Sequence, residues 1–208
     1  MWQKVLQVGS GGSGGGFNIS DLRNCYNYIS DTSNETKTYT ATKAGVYFAS
    51  ACGCNDSHSL GSTGTTLFSD SVNNGFCNYA FYKCNVGDTI TVSIINPGGG
   101  TSSITIWEIG NINSVQKIFA EYKADSAVSY THTPNKGDNY LVLLAPSGRD
   151  AQRTHSENFG YGSLVTSKMG TYTYMAIVDV LLENPDQAKF TCNGYGYGGG
   201  CVVLVNLK

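Results

Sequence analysis

Much of this 208-residue chain is written twice. Trp2-Gln3-Lys4-Val5-Leu6 is echoed by Val115-Gln116-Lys117-Ile118-Phe119. Tyr39-Thr40-Ala41-Thr42, followed by Gly45-Val46-Tyr47-Phe48, is echoed by Tyr130-Thr131-His132-Thr133, followed by Gly137 and Tyr140-Leu141-Val142. Tyr79-Ala80-Phe81-Tyr82 and Gly87-Asp88 return more loosely as Tyr174-Met175-Ala176-Ile177 and Pro185-Asp186. Gly98-Gly99-Gly100 before Ile104-Thr105-Ile106-Trp107 returns as Gly198-Gly199-Gly200 before Val202-Val203-Leu204-Val205. The offset drifts along the chain, which fits one scaffold carrying loops of different length and not a short-period solenoid. Two copies of a small module, sharing no catalytic residue set, have the character of a building block.

Each copy is an all-β module by its pattern. Alternation and β-branched residues predict strands at 2–8, 38–42, 45–52, 79–84, 88–95 and 103–109, then at 115–122, 128–133, 139–145, 171–182, 187–192 and 201–207. No helix alternates with these strands, so a parallel α/β fold is not expected. Ser20 to Ile29 carries the one helical hint: Ser20 can cap, and Leu22, Cys25 and Ile29 share a face. Segments 53–78 and 146–170 are rich in Gly, Ser, Asn and Asp and read as long loops, where binding tends to reside. The expected architecture is two tandem antiparallel β-sandwich domains of jelly-roll type: an N-terminal strand and Gly-rich arm at 1–16, a first sandwich at 17–111 and a second at 112–208.

Charge narrows the partners. Charged residues make up 13% of the chain and the net charge is −2, with no basic run. Nucleic acid therefore finds no electrostatic footprint. No apolar stretch approaches the roughly 18–20 residues of a membrane helix, so no membrane insertion is expected. The N-terminus has Lys4 but no apolar core of a signal peptide, and the bulky Trp2 suits an unprocessed product made in a cytosol. With that compartment, the odd set Cys25, Cys52, Cys54, Cys77, Cys84, Cys192 and Cys201 favours free thiols, although one pair can still cross-link.

Several chemical motifs dissolve on inspection. Gly9-Ser10-Gly11-Gly12-Ser13-Gly14 matches a dinucleotide fingerprint after a strand, but the chain continues Gly15-Gly16-Phe17-Asn18 where a helix must begin. Gly11-Gly12-Ser13-Gly14-Gly15 matches a nucleophile elbow without its strand–turn–helix setting. Cys52, Cys54 and His58 lack the second half of a zinc site and read as small buried residues. His58, His132 and His155 have no local partner that makes a Cys–His nucleophile. Asp88 and Asp186 recur at one position, where a turn enters a strand and Asp bonds the backbone. No glycosidase pair can be nominated. No catalytic residue, cofactor or metal is expected.

What remains is contact chemistry. Ordering the glycine tract costs more chain entropy than any other composition, so an arm containing Trp2, Gly9, Gly12, Gly16 and Phe17 is expected to pack on another chain. Phe159, Tyr161, Tyr195 and Tyr197 lie in loops where aromatic side chains are not obviously core. They are the candidate recognition residues, suited to sugar stacking or protein contact.

Lys43-Ala44-Gly45-Val46-Tyr47-Phe48-Ala49-Ser50, followed by Val86-Gly87-Asp88-Thr89-Ile90-Thr91-Val92 and a closing strand at Ile104 to Ile109, resembles the C1q/TNF-type jelly roll. The resemblance covers about 38–110, and more weakly 128–207. It implies a module that trimerises through a tyrosine- and aliphatic-lined face. In style the chain is similar to bacteriophage and viral fibre, tail and capsid-decoration proteins. That implies a non-enzymatic homo-oligomer, a trimer by analogy, made in the host cytoplasm and carried on the virion. Its partners would be itself, other virion proteins and a host surface glycan or protein. The alternative is a secreted or surface carbohydrate-binding module.

Overall fold

The computed structural model describes residues 23–30, 34–52, 57–72, 77–95, 102–124, 126–133, 139–144, 152–155, 162–169, 173–180, 188–193 and 199–208. All regular structure among them is β-strand. In the first half these are β1 (Arg23–Ser30), β2 (Glu35–Thr40), β3 (Gly45–Cys52), β4 (Ser57–Ser62), β5 (Thr65–Val72), β6 (Cys77–Cys84), β7 (Thr89–Ile95) and β8 (Ser102–Gly110). In the second they are β9 (Val115–Ala124), β10 (Val128–His132), β11 (Asn139–Leu144), β12 (Gln152–His155), β13 (Gly162–Met169), β14 (Thr173–Val180), β15 (Ala188–Asn193) and β16 (Gly199–Leu207).

Among the described residues every ladder is antiparallel. The first half forms a five-stranded sheet in the order β1-β8-β3-β6-β5 and a three-stranded sheet β2-β7-β4. The second forms β11-β16-β9, β10-β15-β12 and the pair β13-β14. Apart from the β3–β6 ladder, which has no β11–β14 counterpart among the described residues, these pairings recur with each strand number raised by eight. Thus β1-β8-β3 has its counterpart in β9-β16-β11, β2-β7-β4 in β10-β15-β12, and β5-β6 in β13-β14. In this scheme β9 occupies the place of β1; the matching segment 2–8 lies outside the described residues.

The centre of the first half is β3. All eight of its residues are buried, as are Ser103 to Ile109 of β8. An antiparallel sheet usually keeps one face wet and alternates accordingly. Here both faces are covered, so alternate side chains enter two different cores. Tyr47, Ala49 and Ala51 join Ala80, Tyr82, Ile90, Val92, Ile94, Ile104 and Ile106 under the β2-β7-β4 sheet. The alanines on β3 and β6 leave room for the isoleucines and valines of the facing strands, the large-to-small matching that dense packing requires.

The other face carries Val46, Phe48, Tyr79, Phe81, Trp107 and Ile109, and it is covered by the second half. Leu141 and Leu143 of β11 and Cys201, Val203, Val205 and Leu207 of β16 complete the same cluster. Phe48 and Phe81 meet at 5.1 Å between ring centroids. One core therefore spans both halves. Ile112, at the junction drawn between residues 111 and 112, is itself buried in it. The link into β9 is fastened by the C-terminal residue, since Ser114 N–H donates to Lys208 O at 2.8 Å and Lys208 N–H to Ser114 O at 2.9 Å.

Three sequence expectations are corrected. Of the stretch Ser20 to Ile29, read as a helical turn or two, residues 23–29 belong to β1 at the edge of β8, and 20–22 lie outside the described residues. A bulge between Asn24 and Tyr26 inserts Cys25, so the apolar spacing departs from two and imitates a helix. The segments 53–78 and 146–170, read as loops, contain β4 and β5, and β12 and β13. β4 is polar and half-exposed at a sheet edge, where a strand needs no apolar run. Finally, Cys52 and Cys77, expected as free thiols, are joined as a disulfide. They stand directly opposite in the β3–β6 register with Cα atoms 4.1 Å apart, a closeness the sequence separation of 25 hides. Cys25 and Cys84 are free thiols.

Candidate assembly and recognition surfaces

The residues singled out by sequence fall outside the described part of the structure. This holds for the arm residues Trp2, Gly9, Gly12, Gly16 and Phe17, and for Phe159, Tyr161, Tyr195 and Tyr197. The described residues place other groups together, at three locations.

The first is a clasp at the edge of the five-stranded sheet. Glu108 is 6% exposed on the β8 face that also carries Ile104 and Ile106. Arg23 on β1 is its partner in the register and donates from Nε to Glu108 Oε2 at 2.8 Å. The same guanidinium donates to Tyr39 Oη at 3.0 Å and to Thr42 Oγ1 at 2.9 Å, tying β1 to β2 and the turn after it. Lys43 Nζ stands 3.9 Å from Glu108 Oε1, and Tyr47 Oη donates to Lys43 O at 2.9 Å. A buried carboxylate is tolerated only when paired and hydrogen-bonded, and Arg23 provides both. The bond to Glu108 raises the Arg23 pKa above its already high value. Burial lifts Tyr39 as well, reinforced by a hydrogen bond with Cys25, and pushes Tyr47 up to about 12. One sequence signal existed for this site: Ile104-Thr105-Ile106-Trp107-Glu108-Ile109 sets one charge inside an apolar strand.

The second location joins the halves. Lys117 Nζ of β9 donates to Asp70 Oδ2 of β5 at 2.6 Å. Asp70 also accepts from Tyr79 Oη at 3.2 Å and from the Ser71 N–H at 2.9 Å. Burial pushes the Asp70 carboxyl up, but the bonds from Lys117, Ser71 and Tyr79 outweigh it and hold the pKa below its ordinary value. Tyr79 is pushed strongly upward, by burial first and then by the Asp70 charge.

The third is the outer face of β2-β7-β4. Ile90, Val92 and Ile94 of β7 point to the core, and the intervening Thr91 and Ser93 lie on the opposite side, where Ser93 is nonetheless buried. Register sets Thr36 beside Ser93 and Ser59, and Thr38 beside Thr91 and Gly61. Thr36 Oγ1 donates to Ser93 Oγ at 2.9 Å, and the Thr38 and Thr91 hydroxyls are bonded at 3.1 Å. Next to this face, Asp88 closes the β6–β7 turn as a structural residue: Asn85 N–H donates to Asp88 Oδ2 at 2.7 Å, with Gly87 at a φ of 93°. That is the turn role its sequence context predicts. In the second half Ser129 and Thr131 are likewise exposed, and Thr191 stands in register with Ser129 and Thr154.

These groups suit holding and contact more than proton transfer. Burial moves Tyr82 up to about 12 and raises Cys84, so these protons, like those of Tyr39, Tyr47 and Tyr79, are further from titrating at neutral pH. Among the described residues no three His, Cys, Asp or Glu side chains gather to hold a metal. No helix there is long and apolar enough to cross a membrane. No family model matches this chain, and neither curated proteins nor solved structures give a match.

Proposed function

We propose that this chain is a structural component of a virus or bacteriophage particle, a tail, fibre or capsid-decoration protein. It works as two jelly-roll halves in tandem and assembles as a homo-oligomer. One observation carries the reading. The strand orders β1-β8-β3-β6 and β2-β7-β4, with β9-β16-β11 and β10-β15-β12 repeating them, follow the winding of an eight-stranded jelly roll. Both halves depart from it: β5 pairs with β6 on the larger sheet, and β13 pairs with β14 as a separate two-stranded sheet. A module duplicated in fold, and fused through a common apolar core, is suited to bearing load between neighbours. The clasp and the Asp70–Lys117 pair add rigidity where strands from different sheets or halves meet.

The shared core also refines how such an assembly forms. The aromatic face of β3, β6 and β8 is occupied by β11 and β16 of the same chain and is closed to another copy. Copies must therefore meet through other surfaces, the N-terminal arm among them. Sedimentation velocity tests the proposal. A discrete oligomer at micromolar concentration supports it; a stable monomer whose residues 1–16 are freely proteolysed ends it. A monomer with saturable glycan binding, abolished by Tyr195→Ala or Tyr197→Ala, would replace it with a surface carbohydrate-binding module.

A further inference from the structure

We infer that the Cys52–Cys77 disulfide is a redox latch roofed by the second half of the chain, closed to reductants in solution until β11 and β16 lift away. Such a latch needs no particle around it, so it stands apart from the assembly reading. Position in the sheet blocks approach from the sides. β3 lies between β8 and β6, and β6 between β3 and β5, so the bond joins two interior strands. On the β8 side Cys52 has Ser103 as its neighbour, and Ser103 Oγ donates to Cys52 O at 3.4 Å. On the β5 side Cys77 has Val72. Side chains alternate along a strand, so Cys52 shares its face with Phe48, and Cys77 shares its face with Tyr79 and Phe81. That is the face whose cluster is completed by Leu141, Leu143, Val203 and Val205 of the second half. Cys52 is 1% exposed and Cys77 0%.

Reduction begins when a thiolate reaches one sulfur of the bond. With a dithiol such as dithiothreitol, the protein's sulfur–sulfur bond breaks as a mixed disulfide forms. The reagent's second thiol then closes the reagent into a ring. Both cysteines leave as thiols, with two electrons and two protons taken from the reagent. A thiolate is charged, so entering the apolar cluster around Phe48 and Phe81 is costly for it. The reaction therefore waits for a local opening. The element that must move is the roof of β11 and β16, not the β2-β7-β4 sheet, which packs on the other face. A bond closed before the halves dock is thereby kept in reducing surroundings, where exposed disulfides are lost. Burial makes the moment of packing, and not the compartment alone, decide the state of these two sulfurs.

Timed reduction of the full chain tests this. The protein is exposed to dithiothreitol in mildly alkaline buffer, quenched by alkylation and read by mass spectrometry at Cys52 and Cys77. The native chain is expected to lose the bond about a hundredfold or more slowly than the chain unfolded in urea. Leu143→Ala and Val203→Ala each loosen the roof and are expected to speed native reduction about tenfold or more. Val203→Ala removes fewer atoms, so it serves alone if the larger truncation does not fold. Val92→Ala, in the core on the opposite face, is the control. With rates compared at equal unfolding free energy, set by urea, Val92→Ala should speed reduction far less than either roof variant. A native rate equal to the unfolded rate overturns the latch, as does failure of the roof variants to speed it. Equal acceleration by Val92→Ala also overturns it, because global unfolding is then the route. So does a chain purified without reductant in which the two cysteines are unlinked.

Discussion

Lys117 and Asp70 form an ion pair at 2.6 Å that bridges the two halves of the chain, linking β9 to β5. The side chains are 46% and 26% exposed, so solvent screens the pair and its worth is about 1 kcal/mol or less. Its pH dependence has a definite sign. The folded pKa of Asp70 is held below its unfolded value, so the contribution is complete above that value, about 4. It is lost as pH falls through the folded one. Asp70→Asn should therefore lower stability above about pH 5 and converge with the parent in stronger acid. Urea unfolding at a series of pH values checks this; a pH-independent difference contradicts it.

The shared core predicts how the molecule unfolds. Phe48 and Phe81 are fully buried in a cluster that includes Leu141, Val203 and Val205. Truncating either phenylalanine should cost about 3–5 kcal/mol. More tellingly, Phe81→Ala should lower the melting of both halves together, because the second half loses the surface it packs on. Calorimetry of the parent should give one cooperative transition. Two transitions, with Phe81→Ala shifting one alone, would show that each half holds its own core.

The clasp makes a prediction about asymmetry between partners. Arg23→Ala strands the buried Glu108 carboxylate with Lys43 at 3.9 Å as its nearest cation, whereas Glu108→Gln removes the charge and keeps an acceptor. Arg23 is 46% exposed, so water reaches the site and tempers the loss to about 1–3 kcal/mol. Glu108→Gln should cost less than Arg23→Ala, and the double variant should cost less than the two losses added together. Strict additivity in a double-mutant cycle would show that the two side chains act independently.

The cysteines offer a covalent check. Peptide mapping without reduction should recover Cys52 linked to Cys77, and Cys77→Ser should cost about 3 kcal/mol for a closed loop of this size. Full alkylation of both thiols in the unfolded, unreduced protein would contradict the pairing.

How much of this could be read in the sequence follows from where each side chain ends up. β3 was legible to the residue, Gly45 to Cys52, because its Val, Tyr and Phe announce a buried strand. β4 was not: Ser57, Ser59, Gly61 and Ser62 have the composition of a loop, and it is the ladder with β7 that makes them a strand. β1 was misread because the extra residue Cys25 breaks the period of two. The apolar runs of β3 and β16 were visible, but not that one face of each belongs to a core common to both halves. Arg23 and Glu108 lie 85 residues apart, and only the β1–β8 register brings them together. The all-β antiparallel class was legible from alternation and β-branched residues, whereas the strand order, such as β1-β8-β3 and β9-β16-β11, was not.

The most direct measurement follows the chain in the cells that make it. Particles purified on a density gradient should contain this protein, identified by peptide mass spectrometry, at a fixed ratio to the other particle proteins across fractions. Finding it only in the particle-free fraction, as a monomer, would contradict a structural role.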